Sequence, residues 1–113
     1  MTWFSARDRL VCLIEPEGAT RYMDSVYVFL ERDFKRAKQR AIRLGKSQEE
    51  EYMNKYGERV RWRLKEVISL DIILSESLDG AEVYSEPIDL EPSERIPFDQ
   101  TFDPDDSDPT QTI

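Results

Sequence analysis

Apolar and polar residues alternate along Trp3 to Ile14, with Phe4, Ala6, Leu10, Cys12 and Ile14 on one face and Ser5, Arg7 and Arg9 on the other. Alternation of period two predicts a half-buried strand over Trp3 to Ile14. The polar segment that follows contains Pro16 and Gly18, and it turns the chain. Tyr22 to Leu30 is rich in β-branched and aromatic residues, with Val26, Val28 and Leu30 sharing one face, so the two segments read as a hairpin. The period then changes. After Asp33, a good N-cap, the residues Phe34, Ala37, Ala41 and Leu44 recur at three-to-four spacing and predict an amphipathic helix.

Gly45 is expected to end that helix in a left-handed conformation. Ser47 and Glu50 have the Ser-x-x-Glu spacing of a capping box, which predicts a second short helical stretch to about Asn54. Lys55-Tyr56-Gly57 then turns into the longest alternating run of the chain. Val60, Trp62 and Leu64 lie on one side of it, and Arg59, Arg61, Arg63 and Lys65 on the other. This third strand continues or bulges through Ile68 to Leu74, and a turn at Leu78-Asp79-Gly80 leads to an expected fourth strand at Ala81 to Ser85. The fold class that follows is α+β: a four-stranded, mainly antiparallel sheet in ββαββ order with the helical segment on one face.

Charge divides the chain. Met1 to Ser85 holds fifteen Lys and Arg against fifteen Asp and Glu, whereas Glu86 to Ile113 holds nine acids against Arg95 alone, together with five of the six prolines. The expected organisation is one domain over 1–86 and a disordered acidic tail over 87–113, because so charged and proline-punctuated a segment buries too little apolar surface to offset its chain entropy. No run of apolar residues suits a membrane span or a signal peptide, so a cytoplasmic protein is expected. Cys12 is the single cysteine, and its apolar neighbours point to an inert buried thiol.

There is no histidine. The commonest catalytic base and transition-metal ligand is therefore missing, and the usual serine, cysteine and zinc hydrolases are excluded. The chain is read as no enzyme, with no catalytic, cofactor-binding or metal residues. A weaker pattern, Asp24 with Asp33 and Lys35, has the acid, acid, lysine composition with which some nucleases hold a divalent ion, although helix capping accounts for Asp33. Glu49, Glu50 and Glu51 are read as first-turn charges of the second helical stretch rather than a metal cluster. Trp3, Phe4, Phe29 and Trp62 are assigned to the core.

Three blocks carry a family resemblance: Trp3-Phe-Ser-Ala6, Glu50-Glu-Glu-Tyr-Met-Asn-Lys-Tyr-Gly-Glu-Arg-Val-Arg-Trp62, and Gly80-Ala-Glu-Val-Tyr-Ser-Glu86. With this order and spacing the chain resembles the small bacterial family called domain of unknown function 4288, over roughly Met1 to Glu86. That family is functionally uncharacterised, so the resemblance carries over no assigned catalytic residues.

Two surfaces remain as candidates. Arg59, Arg61, Arg63 and Lys65, with Arg36, Arg40 and Arg43 of the helix, form a polyanion or partner surface. Ile96, Phe98 and Phe102 supply apolar anchors for an acidic docking peptide. The function expected is a protein-binding module of the bacterial cytosol, with a nucleic-acid-binding accessory protein as the alternative and a metal-dependent nuclease a distant third. The partner expected is a protein of unidentified kind, nucleic acid is kept as a second class, and no membrane is involved. Oligomeric state is left open.

Overall fold

The alternation of the first thirty residues produces a long hairpin, and everything else in the fold is laid against it. The computed structural model describes residues 1–85 and 87–109. Its elements are β1 (Thr2–Ile14), β2 (Gly18–Glu31), α1 (Phe34–Lys46), β3 (Glu50–Met53) and β4 (Arg59–Ile72). All neighbours in the sheet are antiparallel and the order is β2-β1-β4-β3, which confirms the α+β class and the ββαββ sequence.

β1 lies at the centre, and its even-numbered residues face α1. Phe4, Ala6, Phe29, Ala37 and Ala41 form a buried cluster, with Tyr27, Leu44, Val67 and Leu70 packed around it. Alanines at 37 and 41 let the helix axis come close to the sheet. Further along the same face, where the long strands curl, Leu10, Cys12, Val60 and Trp62 form a second cluster. Trp62 is covered by the guanidinium of Arg21, 5.5 Å from its ring, and donates Nε1–H to the Tyr52 hydroxyl at 3.3 Å. Cys12 is buried, as expected.

β4 keeps its apolar side on the core over fourteen residues only because it bulges twice. Its register against β1 shifts between Arg7 and Asp8 and again between Arg9 and Leu10, leaving Ile68 and Lys65 as extra residues. Each extra residue flips the alternation once. Val60, Trp62, Leu64, Val67 and Leu70 thereby stay on the helix side.

Several expectations fail. Gly45 is not a left-handed cap; it sits inside the last turn of α1, buried, where a Cβ would come 2.6 Å from Asp8 Oδ2 and 2.7 Å from Leu64 Cδ1. Glycine is there for close approach to β1 and β4. The stretch Ser47 to Asn54 is not helical. The Ser47 hydroxyl donates backward to the Leu44 carbonyl at 2.5 Å, and Glu50–Met53 pair with Arg59–Trp62 as β3. Asn54 organises the connecting turn: its Oδ1 accepts from the backbone N–H of Tyr56 (3.0 Å) and Glu58 (2.9 Å), and Gly57 takes a φ of 76°. Ala81–Ser85 is no strand either; β3 completes the four. The face shared by Val26, Val28 and Leu30 turns away from the helix, while Phe29 points into the core, and Trp3 is half-buried rather than core. Beyond the sheet, the described residues 87–109 contain no α-helix or strand and one 3₁₀ turn, Pro104–Asp106. Among the described residues, no helix is long and apolar enough to cross a membrane.

Candidate interaction surfaces

The arginine ladder of β4 stands on the sheet face opposite the helix, and it is not bare. Glu51 on β3 lies directly across from Arg61. Its carboxylate accepts from Arg59 Nε at 2.7 Å and Arg63 Nη2 at 2.9 Å, and Arg61 Nε is 3.8 Å away. Arg59 also lies 3.8 Å from Glu15. The hydrogen bond from Arg59, followed by the charges and bonds of its neighbours, holds the Glu51 carboxyl below its ordinary range. Three guanidiniums thus converge on one carboxylate. Lys65, the bulged residue, pairs instead with Glu66 at 3.5 Å and lies 5.5 Å from the Tyr22 ring. The sequence reading of Glu49–Glu51 as a helix first turn is corrected here: Glu51 anchors the arginines, and Glu49 Oε2 accepts the backbone N–H of Leu64 at 3.0 Å. No group of three or more Cys, Asp or Glu side chains that could hold a metal ion exists among the described residues.

The helix cations are on the other side of the sheet. Arg36 closes on the N-cap Asp33 at 2.5 Å, while Asp33 Oδ1 accepts the Arg36 N–H at 2.8 Å. Arg40 donates to the Leu30 carbonyl at 2.8 Å and stacks on Phe29, so it helps tie α1 to β2. Arg43 is exposed in the last turn, where positive charge complements the helix dipole. The two basic sets are back to back and do not form a single polyanion surface.

A cluster that sequence reading missed lies on the open face of the sheet, on β1 and β2. Asp24 accepts from Arg7 Nε at 2.8 Å and from Arg9 Nε and Nη2, each at 2.8 Å. The bonds from Arg9 first and Arg7 next pull the Asp24 carboxyl down to about 2. Arg9 and Lys65 flank the Tyr22 ring, and Arg7 stacks on and donates to Tyr84. The signal was present, because the register of a β1–β2 hairpin puts Arg9 opposite Asp24. Asp24 and Asp33 are engaged separately, one by sheet arginines and one by a helix N-terminus. The acid, acid, lysine arrangement of a nuclease is not assembled.

Asp8 is the other missed residue. It is on the apolar face of β1, fully buried under α1, and neither of its oxygens has a hydrogen-bond partner. Burial raises its carboxyl to about 6. An open cleft of about 430 Å³ runs between the end of β4 and residues 82–85, lined by Ser5, Asp71, Leu74 and Tyr84 among others.

Exposed apolar groups are scattered over the molecule, among them Phe34, Met53, Tyr56 and Leu74, and two sets of them each run along one segment. Tyr22, Met23, Val26 and Val28 line β2, one of the two edge strands, and Ile88, Leu90, Ile96, Phe98 and Phe102 project from residues 87–109. The tail side chains stand free of the body: Phe98 is as exposed as in an extended chain, and Phe102 is 71% exposed.

Residues 3–85 match the domain of unknown function DUF4288, and the chain belongs to that family. The matched segment contains every element of the sheet and α1, and ends before the acidic tail. No curated protein and no solved structure matches the chain.

Proposed function

We propose that this DUF4288 protein is a non-enzymatic, cytoplasmic protein-binding module of bacteria, in which the folded body presents the acidic tail to a partner. The observation that carries the reading is the exposure of Ile96, Phe98 and Phe102 within residues 96–109, whose other members are acids, prolines, serine, threonine and glutamine. Burying one such side chain in a partner's pocket contributes about 1.5–3 kcal/mol. The surrounding carboxylates steer the segment toward a basic surface and raise the encounter rate. The partner is therefore a protein with apolar pockets rimmed by Lys and Arg.

Nucleic-acid binding is the competing class, and the geometry weakens it. Phosphate contacts need free cations on one surface, whereas Arg59, Arg61 and Arg63 converge on Glu51 and the helix cations lie behind the sheet.

Affinity capture from native cells with the full chain and with a Phe98→Ala, Phe102→Ala variant tests the reading. The double variant is expected to lose the captured protein. Equal capture by both chains overturns the tail as docking segment, and DNA binding with a steep salt slope would favour the competing class.

A further inference from the structure

We infer that the protein is a homodimer in which the β2 strands of two copies pair antiparallel about a twofold axis through Val26. β2 is an outer strand of the sheet, so the backbone groups along its second edge have no strand partner, and among them the Leu30 carbonyl accepts from Arg40 of α1. Proteins blunt such edges with lysine, proline, bulges or brevity. The opposite edge, β3, is short, at four residues. β2 is fourteen residues long and contains neither Lys nor Pro. Its one irregularity against β1 lies at Thr20, so that Arg21 to Glu31 run without a break. That regular stretch spans about 36 Å at 3.3 Å per residue, and its midpoint is Val26.

A twofold axis perpendicular to a sheet keeps each face continuous and sets residues of equal parity opposite one another. Centred on Val26, it places Val26 against Val26, Met23 against Phe29, Tyr22 against Leu30 and Arg21 against Glu31, each of the last three pairs occurring twice; it also sets Ser25 against Tyr27 and Asp24 against Val28, the Asp24 charge being held by Arg7 and Arg9 of its own chain. Directly opposed apolar and opposite-charge pairs are the stabilising unit of a sheet. Other centres lose this match. An axis on Ser25 sets Arg21 against Phe29, one on Asp24 sets two carboxylates together, and one on Tyr27 sets Glu31 against Met23. Tyr22, Met23 and Val26, each about half exposed in one chain, are the residues this register covers.

The inference stands apart from the docking role given to the tail, and its test does not use a partner. In sedimentation equilibrium the full chain is expected at twice its 13.3 kDa, and Val26→Lys, which sets two ammonium groups on the axis, is expected at the mass of one chain with an unchanged circular dichroism spectrum. Register is read separately with cysteines. Val26→Cys places two thiols directly opposite, with Cβ atoms about 5 Å apart, so that a small strand shift brings them to the separation of about 3.5–4.5 Å at which a disulfide forms under mild oxidant. Val28→Cys places them about 13 Å apart along the strand. Cys12 is buried in both. A disulfide-linked dimer from the first and not from the second is the result expected. A monomeric full chain, a Val26→Lys variant that remains dimeric, or equal cross-linking at the two positions overturns the inference.

Discussion

Asp8 shows how one residue can sit on the right face and have the wrong chemistry. Its even number in β1 puts it in line with Phe4, Ala6 and Leu10, so its burial follows from the same alternation that predicts the strand. What alternation does not reveal is the absence of a partner. Gly45, in the last turn of α1, closes over one carboxylate oxygen, and the negative end of the helix dipole adds to the cost of charge there. With its folded-state carboxyl at about 6 against an ordinary 3.8, Asp8 keeps a proton that the unfolded chain releases. Its contribution to stability is full below pH 3.8, declines as pH rises through 6 and is constant above, a loss of about 3 kcal/mol at 1.36 kcal/mol per unit. Asp24 has the opposite sign: pulled down to about 2, it loses its contribution as pH falls below 3.8. Stability should therefore peak near pH 4 and fall toward neutrality. Asp8→Asn is expected to flatten the fall between pH 4 and 7 in urea midpoints, leaving the acid side unchanged, and persistence of the slope in that variant would assign it elsewhere.

Among the elements, β4 was the most legible and the segments on either side of it the least. The contrast has a physical cause. Arg59 to Leu64 alternate strictly, and burial of Val60 and Trp62 on one side enforces that register whatever lies around the strand. Ser47 to Asn54 carries a local capping signal of the right spacing, but the pairing of Glu50–Met53 with β4 and the capture of the Ser47 hydroxyl by α1 outweigh it. Ala81 to Ser85 has strand-forming residues but pairs with no strand; Tyr84 lies instead against Arg7. The basic side of β4 was legible as a stripe, but its neutralisation by Glu51 depends on a strand pairing that no periodicity displays. Trp62→Ala should cost about 3–5 kcal/mol, since Trp62 is 8% exposed and anchors the second cluster. Arg61→Ala, on the solvent side and 3.8 Å from a carboxylate shared with two other arginines, should cost well under 1 kcal/mol. Similar losses in the two urea midpoints would mean that the faces of β4 are misassigned.

On the scale of the whole molecule, a neutral body carries a tail that holds the net charge of −8, and pairing through β2 would set two such tails on one particle. Two docking segments held on one body raise avidity without any new contact, provided both can reach the partner at once. The tail itself should be dispensable for folding. Each described residue of 87–109 is exposed, and no ion pair joins that segment to Arg59, Arg61 or Arg63. Truncation after Ile88 is thus expected to leave the thermal midpoint within a few degrees of the full chain. The same truncation removes most of the negative field that repels polyanions, so the body should bind heparin more tightly than the full chain does, with a gain that shrinks as salt shortens the Debye length from about 10 Å at 0.1 M. The gain should be small, because the carboxylate that occupies the arginines remains. Adding Glu51→Gln to the truncated chain frees Arg59 and Arg63 and should enlarge it. If truncation alone produced the full increase, and Glu51→Gln added nothing, the tail rather than Glu51 would be the group that masks the ladder, and its acids would have to lie over β4 in solution.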